Sequence, residues 1–223
     1  MCGRYMITTS QQAMADLFEA SLAELGPDVP RLNVSPTEPV PVVVSQDGER
    51  HLVPMRWGLL PPFYRGANGG PLLINARAEG IAAKPAFREA IRERRCLLPA
   101  DGFYEWQGEK GKRIPFVVRP PAGGMIAFAG LWQDWRGPEG WIPTCAIVTC
   151  PANPVLAGVH ERMPVVVAPE DFALWLGEAG PGAARLMLPA PEEALSAEPA
   201  DAATRAMLAS RPVPPPGMPA LRA

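Results

Sequence analysis

Short apolar runs separated by turn-forming residues dominate the chain, and only a few stretches keep a helical period. Met14, Leu17, Phe18, Leu22 and Leu25 recur at helical spacing, predicting a first helix capped by Thr9 or Ser10 and stopped at Gly26-Pro27. The runs "VPVVV" and "HLVPMRW" flank "SQDGER", where Asp47-Gly48 predicts a hairpin turn. A second helix is expected from Pro85 through Phe87 and Ile91. Beyond it, "CLLP", "IPFVV", "MIAFAGLW", "PTCAIVT" and "MPVVVA" read as strands. "EDFALWL" reads as a third helix, from about Pro169 to Gly177. Strands with scattered helices and no βαβ rhythm predict an α+β fold. Its core would be a mainly antiparallel sheet or an open barrel, with a few peripheral helices.

Composition narrows the domain plan. From Ala179 the text turns Ala/Pro/Glu-rich, so one domain is expected over residues 1–178 and a divergent segment over 179–223. Its last part, "RPVPPPGMPALRA", has the composition of a disordered tail. With 223 residues, 48% of them apolar, the chain is long enough for a substantial core. A net charge of −2 argues against a global basic field, so any nucleic-acid site must be a local patch. No apolar run approaches the ~18 residues of a membrane span, and "MCGRYMITTSQQ" has no apolar signal core. Cys2, Cys96, Cys145 and Cys150 form no CxxC pair, and His51 and His160 are the only histidines. The expectation is a cytoplasmic, monomeric protein with reduced thiols and neither a metal nor an organic cofactor.

Candidate chemistry begins at "MCGRY". If Met1 is removed, Cys2 carries a thiol and an α-amine on adjacent carbons, with reference pKa values of about 8.5 and 7.7–8.0. The thiol can attack a carbonyl with the amine as base, or both groups can add to one aldehyde carbon and close a thiazolidine. In "PLLINARAEG", an extended segment would aim Asn75, Arg77 and Glu79 to one side. "LLPADGFYEWQG" sets Glu105 between bulky aromatics, where burial would suit it to general acid–base work. His160, in the loop before "MPVVV", is a candidate proton shuttle. "RWGLLPPFYRG" interleaves Trp57, Phe63 and Tyr64 with arginines, a pattern equally at home stacking bases or filling a core.

In order, MCGR, "RLNVSPTEPVPVV", "WGLLP", "INARAEG", "KPAFREA", "RCLLPADGFYEW", "FAGLW", "TCAIVTCPAN" and "HERMPVVV" closely resemble the SRAP family of abasic-site processing proteins. The resemblance covers residues 2 to about 176. The resemblance implies that Cys2 captures the ring-opened aldehyde of an abasic site in single-stranded DNA. The product would be a thiazolidine crosslink that shields the lesion during the SOS damage response. It assigns catalytic roles to Cys2, Asn75, Glu105 and His160, and DNA contacts to Arg4, Asn33, Trp57, Arg77, Thr149 and Arg162. The peptidase label would refer to removal of Met1. Two stretches depart from the family pattern: "PPFYRG" has Phe63 and Tyr64 where a wedge tryptophan is usual, and the C-terminal stretch differs. The rivals are an N-terminal-nucleophile amidohydrolase of glutamine-amidotransferase type and a non-catalytic single-strand-binding module.

Overall fold

The computed structural model describes residues 2–67, 69–109, 111–137 and 140–210. The first half contains β1 (Arg4–Ile7), α1 (Gln11–Phe18), β2 (Ala20–Leu22), β3 (Arg31–Val34), β4 (Pro39–Gln46), β5 (Glu49–Trp57) and β6 (Asn75–Arg77). Then follow α2 (Ala90–Glu93), β7 (Arg95–Ala100), β8 (Gly102–Gln107), β9 (Ile114–Arg119), β10 (Ile126–Gly137) and β11 (Gly140–Pro151). The last are α3 (Pro154–Ala157), β12 (Arg162–Pro164), β13 (Val166–Val167), α4 (Phe172–Leu176), β14 (Ser196–Pro199) and α5 (Ala202–Ala209). The fold is α+β, with two sheets and a few short helices.

One sheet is antiparallel, in the order β14-β9-β8-β1-β3. The other runs β12-β11-β10-β7-β4-β5-β2, with β13 on β10 and β6 on β11. A parallel pairing of Thr144 and Cys145 with Arg56 and Trp57 joins β11 back to β5 and closes a ring of strands. The hairpin between β4 and β5 turns at Asp47-Gly48, whose φ values of 53° and 83° are the left-handed pair such a turn requires.

Aromatic side chains join the sheets. Tyr5 on β1 sits edge-on to Trp57 on β5 at 5.1 Å and to Phe128 on β10 at 5.9 Å. Phe103 on β8 meets Phe128 at 5.8 Å. Edge-to-face pairs of this kind add about 0.5–1.5 kcal/mol each beyond their burial. The N-terminal strand is therefore held at the seam between the sheets, which fixes where Cys2 lies.

Three expectations are corrected. The first helix stops at Phe18, because Glu19 turns left-handed (φ 52°) and Ala20–Leu22 pairs with β5 instead, leaving Leu22 exposed. Helical turns do begin at Lys84, but the continuous helix there is only Ala90–Glu93. The composition change at residue 179 is not a structural boundary. Ser196–Pro199 pairs with Arg119–Phe116 and adds an edge strand to the antiparallel sheet. Leu195 and Ala200 on either side are buried. The tail "RPVPPPGMPALRA", residues 211–223, lies outside the described residues. No helix among the described residues is long and apolar enough to cross a membrane.

Candidate active site at the seam of the two sheets

Cys2 is only 1% exposed, directly ahead of β1. Burial first, and then the nearby Glu105 carboxylate, push its thiol well above the usual cysteine range. At neutral pH the resting group is therefore the thiol, and attack requires a base to take its proton. The Asn75 amide donates to the Cys2 carbonyl at 2.9 Å, which pins the terminal backbone. Asn75 can reach it because β6 is laid parallel against the end of β11, Asn75 opposite Ile147 and Arg77 opposite Thr149. The Asn75 Oδ1 is buried with no hydrogen-bond partner among the described residues.

Glu105 lies on β8, two residues after Phe103, so the two side chains share the face turned to the seam. It is 3% exposed, and its Oε1 lies 3.9 Å from His160 Nδ1. His160 follows α3, whose first turn is capped by Asn153: its Oδ1 accepts the Leu156 N–H at 3.1 Å. The His160 backbone N–H closes that turn onto the Leu156 carbonyl at 2.9 Å. The ring's Nδ1 accepts the Arg162 backbone N–H at 3.0 Å, so the neutral imidazole carries its proton on Nε2. A cysteine thiol, an amide that tethers its backbone, a buried carboxylate and an imidazole thus lie close together. Such a set can move protons on and off a carbonyl-derived centre.

The residues expected to contact DNA behave differently from one another. Arg77 is exposed and lines an open cleft with Phe63, Leu73, Asn75, Lys84 and Phe87. Phe63 is 59% exposed there. Its neighbour Tyr64 is held by a bond from its hydroxyl to the Pro71 carbonyl. Lys84 was not singled out from the sequence, since nothing local marks one lysine as facing the cleft. Arg4 donates to Asn33 Oδ1 at 2.8 Å, and the Asn33 amide donates to the Met207 carbonyl on α5. Arg162 lies beside the pocket, with its guanidinium on Glu79 and Thr149.

Two expectations are corrected here. Trp57 is fully buried, edge-on to Tyr5, and donates its indole N–H to the Ile74 carbonyl, so no ring face is open to a base. Thr149 is fully buried as well and serves Arg162 and the Ala78 N–H through its carbonyl. Both are structural supports of the site.

The sequence model of the SOS response associated peptidase (SRAP) family matches residues 1–205, well past the last block quoted above. The abasic site processing protein YoaM of Bacillus subtilis is 35% identical over 179 residues, 79% of each chain. The abasic site processing protein YedK of Escherichia coli is 30% identical over 187 residues, again 79% of each chain. A solved protein from Bacteroides thetaiotaomicron shares the fold with a TM-score of 0.78 at 24% identity, over 90% of this chain and 93% of that one. Another, from Bordetella bronchiseptica, reaches 0.75 at 26% identity, over 90% of this chain and all of that one. Match length, relatives and fold agree: this chain belongs to the SOS response associated peptidase (SRAP) family.

Proposed function

We propose that this protein processes abasic sites in single-stranded DNA by capturing them covalently through Cys2 after removal of Met1. Supporting this reading is one observation above all: residue 2 is buried and tethered by Asn75 close to Glu105, which in turn lies 3.9 Å from His160. A cysteine left loose on a frayed terminus would have no such setting.

The chemistry balances with one water released. The α-amine of Cys2 adds to the C1′ aldehyde of the ring-opened sugar, and the carbinolamine loses water to give an imine. The thiol then adds across the C=N bond, so a C–S bond forms and the nitrogen takes a proton, closing the thiazolidine. Glu105 suits the proton transfers, delivering one to the departing hydroxyl and accepting one from the thiol. His160, 3.9 Å from Glu105, assists opening of the sugar ring. Asn75 holds the Cys2 carbonyl so that amine and thiol face the aldehyde together. The strand would run along the cleft lined by Phe63, Arg77 and Lys84, and the four free cysteines fit a reducing cytoplasm.

Intact-mass spectrometry with a single-stranded oligonucleotide carrying one abasic site tests this. The expected result is free protein lacking Met1, and an adduct equal to protein plus oligonucleotide minus one water. Borohydride should add no hydrogen to that adduct, because a thiazolidine has no C=N bond. Cys2→Ala and an intact oligonucleotide should give no adduct. Absence of adduct with Met1 already gone would overturn the capture mechanism.

A further inference from the structure

Glu79 belongs to the "INARAEG" stretch, yet the chemistry proposed above leaves it unused. β6 ends at Arg77, so Glu79 leaves the strand and reaches across the end of β11 to Arg162 on β12. The contact is two-pronged: Nη1 to Oε1 and Nη2 to Oε2, both at 2.9 Å. Nη2 also donates to the Thr149 carbonyl at 2.6 Å and approaches its hydroxyl at 3.3 Å, which saturates that nitrogen. The Nε donor is buried and has no partner among the described residues.

The exposures of the two partners are unequal. The Arg162 side chain is 10% exposed and that of Glu79 is 53% exposed, so the carboxylate forms the solvent side of the pair. A phosphate oxygen approaching from solvent meets Glu79 before it meets the guanidinium. Carboxylate and phosphate seek the same bidentate geometry on arginine. Arg162, mostly covered, is fixed by Thr149, whereas half-exposed Glu79 has water to turn into.

We propose that Glu79 is a built-in competitor of the DNA phosphate for Arg162, released only when a strand enters the groove. This rests on the DNA-binding reading above and adds a selectivity role to it. Arg77 lines the cleft and pairs with Thr149, the residue that holds Arg162, so with the pair neutral in the free protein this edge of the cleft is one positive charge poorer than its arginines suggest. Contact with an intact strand must first break the Glu79–Arg162 pair, so undamaged DNA is held weakly and let go. An abasic strand meets the same resistance but is retained by the bond to Cys2. Glu79 thus shifts selectivity from grip toward chemistry.

Fluorescence anisotropy of an undamaged single-stranded oligonucleotide across a salt series tests this on the full chain. Glu79→Gln should bind about three- to fivefold tighter at low salt, the scale of losing a partly exposed competing ion pair. The gain should shrink as salt rises, because salt screens the competing ion pair in wild type, so the variant's plot of log affinity against log salt should be the steeper of the two. Glu161→Gln removes the same charge from an exposed neighbour and should fall well short of both changes. In an Arg162→Ala background the gain from Glu79→Gln should vanish, and Glu79→Asp should lie between wild type and Gln. If Glu79→Gln matches Glu161→Gln, the pair persists in the complex and the competition is refuted. Weaker binding by Glu79→Gln would make Glu79 a support for Arg162 and refute it equally. Adduct formation by wild type on the abasic oligonucleotide, run alongside, reports separately on covalent capture.

Discussion

Asn75→Ala separates what holds the fold from what aligns the nucleophile. The amide donates one hydrogen bond to the Cys2 carbonyl at 2.9 Å, while its own oxygen is buried and unpaired among the described residues. Losing the donor costs about 1 kcal/mol, the net value of an ordinary protein hydrogen bond. Removing the stranded acceptor returns about 1–3 kcal/mol of desolvation, and the space left by the carboxamide offsets much of that. The two effects nearly cancel, so stability should stay within about 1 kcal/mol, or roughly 2–4 °C in Tm for a chain of this size. The reaction has no such compensation. Freeing the backbone of one residue returns about 1–2 kcal/mol of conformational entropy that must be removed again for every attack. That corresponds to a loss of roughly 5- to 30-fold in rate. Single-turnover adduct formation on an abasic oligonucleotide, quenched and resolved on a denaturing gel, measures it beside a thermal melt. Wild-type speed in Asn75→Ala would refute the tether argument. So would a Tm drop large enough to account for the slower reaction by unfolding.

Phe63→Ala should leave Tm unchanged, because the ring is mostly in solvent, yet weaken binding to single strands by about 1–3 kcal/mol if it stacks on a base; anisotropy reads this directly. Burial pushes the Tyr104 phenol up to about 12, against an ordinary value of 10. The folded form holds that proton more tightly, so the stabilisation is complete below pH 10 and is lost as pH rises toward 12. Tyr104→Phe should remove this alkaline loss and, at neutral pH, about 1 kcal/mol for the bond to the Leu32 carbonyl, by denaturant titration at both pH values. The Arg162 fork holds the Glu79 carboxyl down at about 2 against an ordinary 4.5, so its stabilising effect is present above pH 4.5 and fades as pH falls toward 2. Glu79→Gln should flatten that part of the acid-unfolding curve. Gly130→Ala would put a Cβ 2.2 Å from Leu98 and 2.8 Å from the Cys96 sulfur in the middle of β10; a loss of about 1–3 kcal/mol is expected in urea.

Much of this architecture could be read locally. Asp47-Gly48 dictates its hairpin because few other residue pairs accept two left-handed conformations, and Gly177 closes the last predicted helix with φ 92°. The segments read as strands all contribute to the sheets. What the sequence misled on is decided by distant partners. The apolar stripe of the first helix continues to Leu22, but β5 takes Ala20–Leu22 as a strand. Ser196–Pro199 has no strand-like composition and becomes one because the edge of β9 is open to it. Trp57 sits among arginines and aromatics like a base-stacking residue, and only the packing of Tyr5 against it shows that it belongs to the core. The alternation of Asn75, Arg77 and Glu79 would share one face only if the strand continued, and it ends at Arg77. The partner of Glu79 lies 83 residues away, a distance no local pattern encodes.

The tether on Cys2 also bears on the order in which the molecule is assembled. Residue 2 is synthesised well before the groups that enclose it, Asn75, Glu105 and the segment around His160. At about 5–20 residues per second, the first 160 residues take roughly 8–30 s to synthesise. During that interval the segment around Cys2 is accessible; afterwards the docked sheets enclose it. On the proposed capture mechanism, any removal of Met1 by a separate enzyme would have to outrun folding. On that mechanism, a chain that folds with Met1 still attached would have the Cys2 amine blocked and its thiol buried.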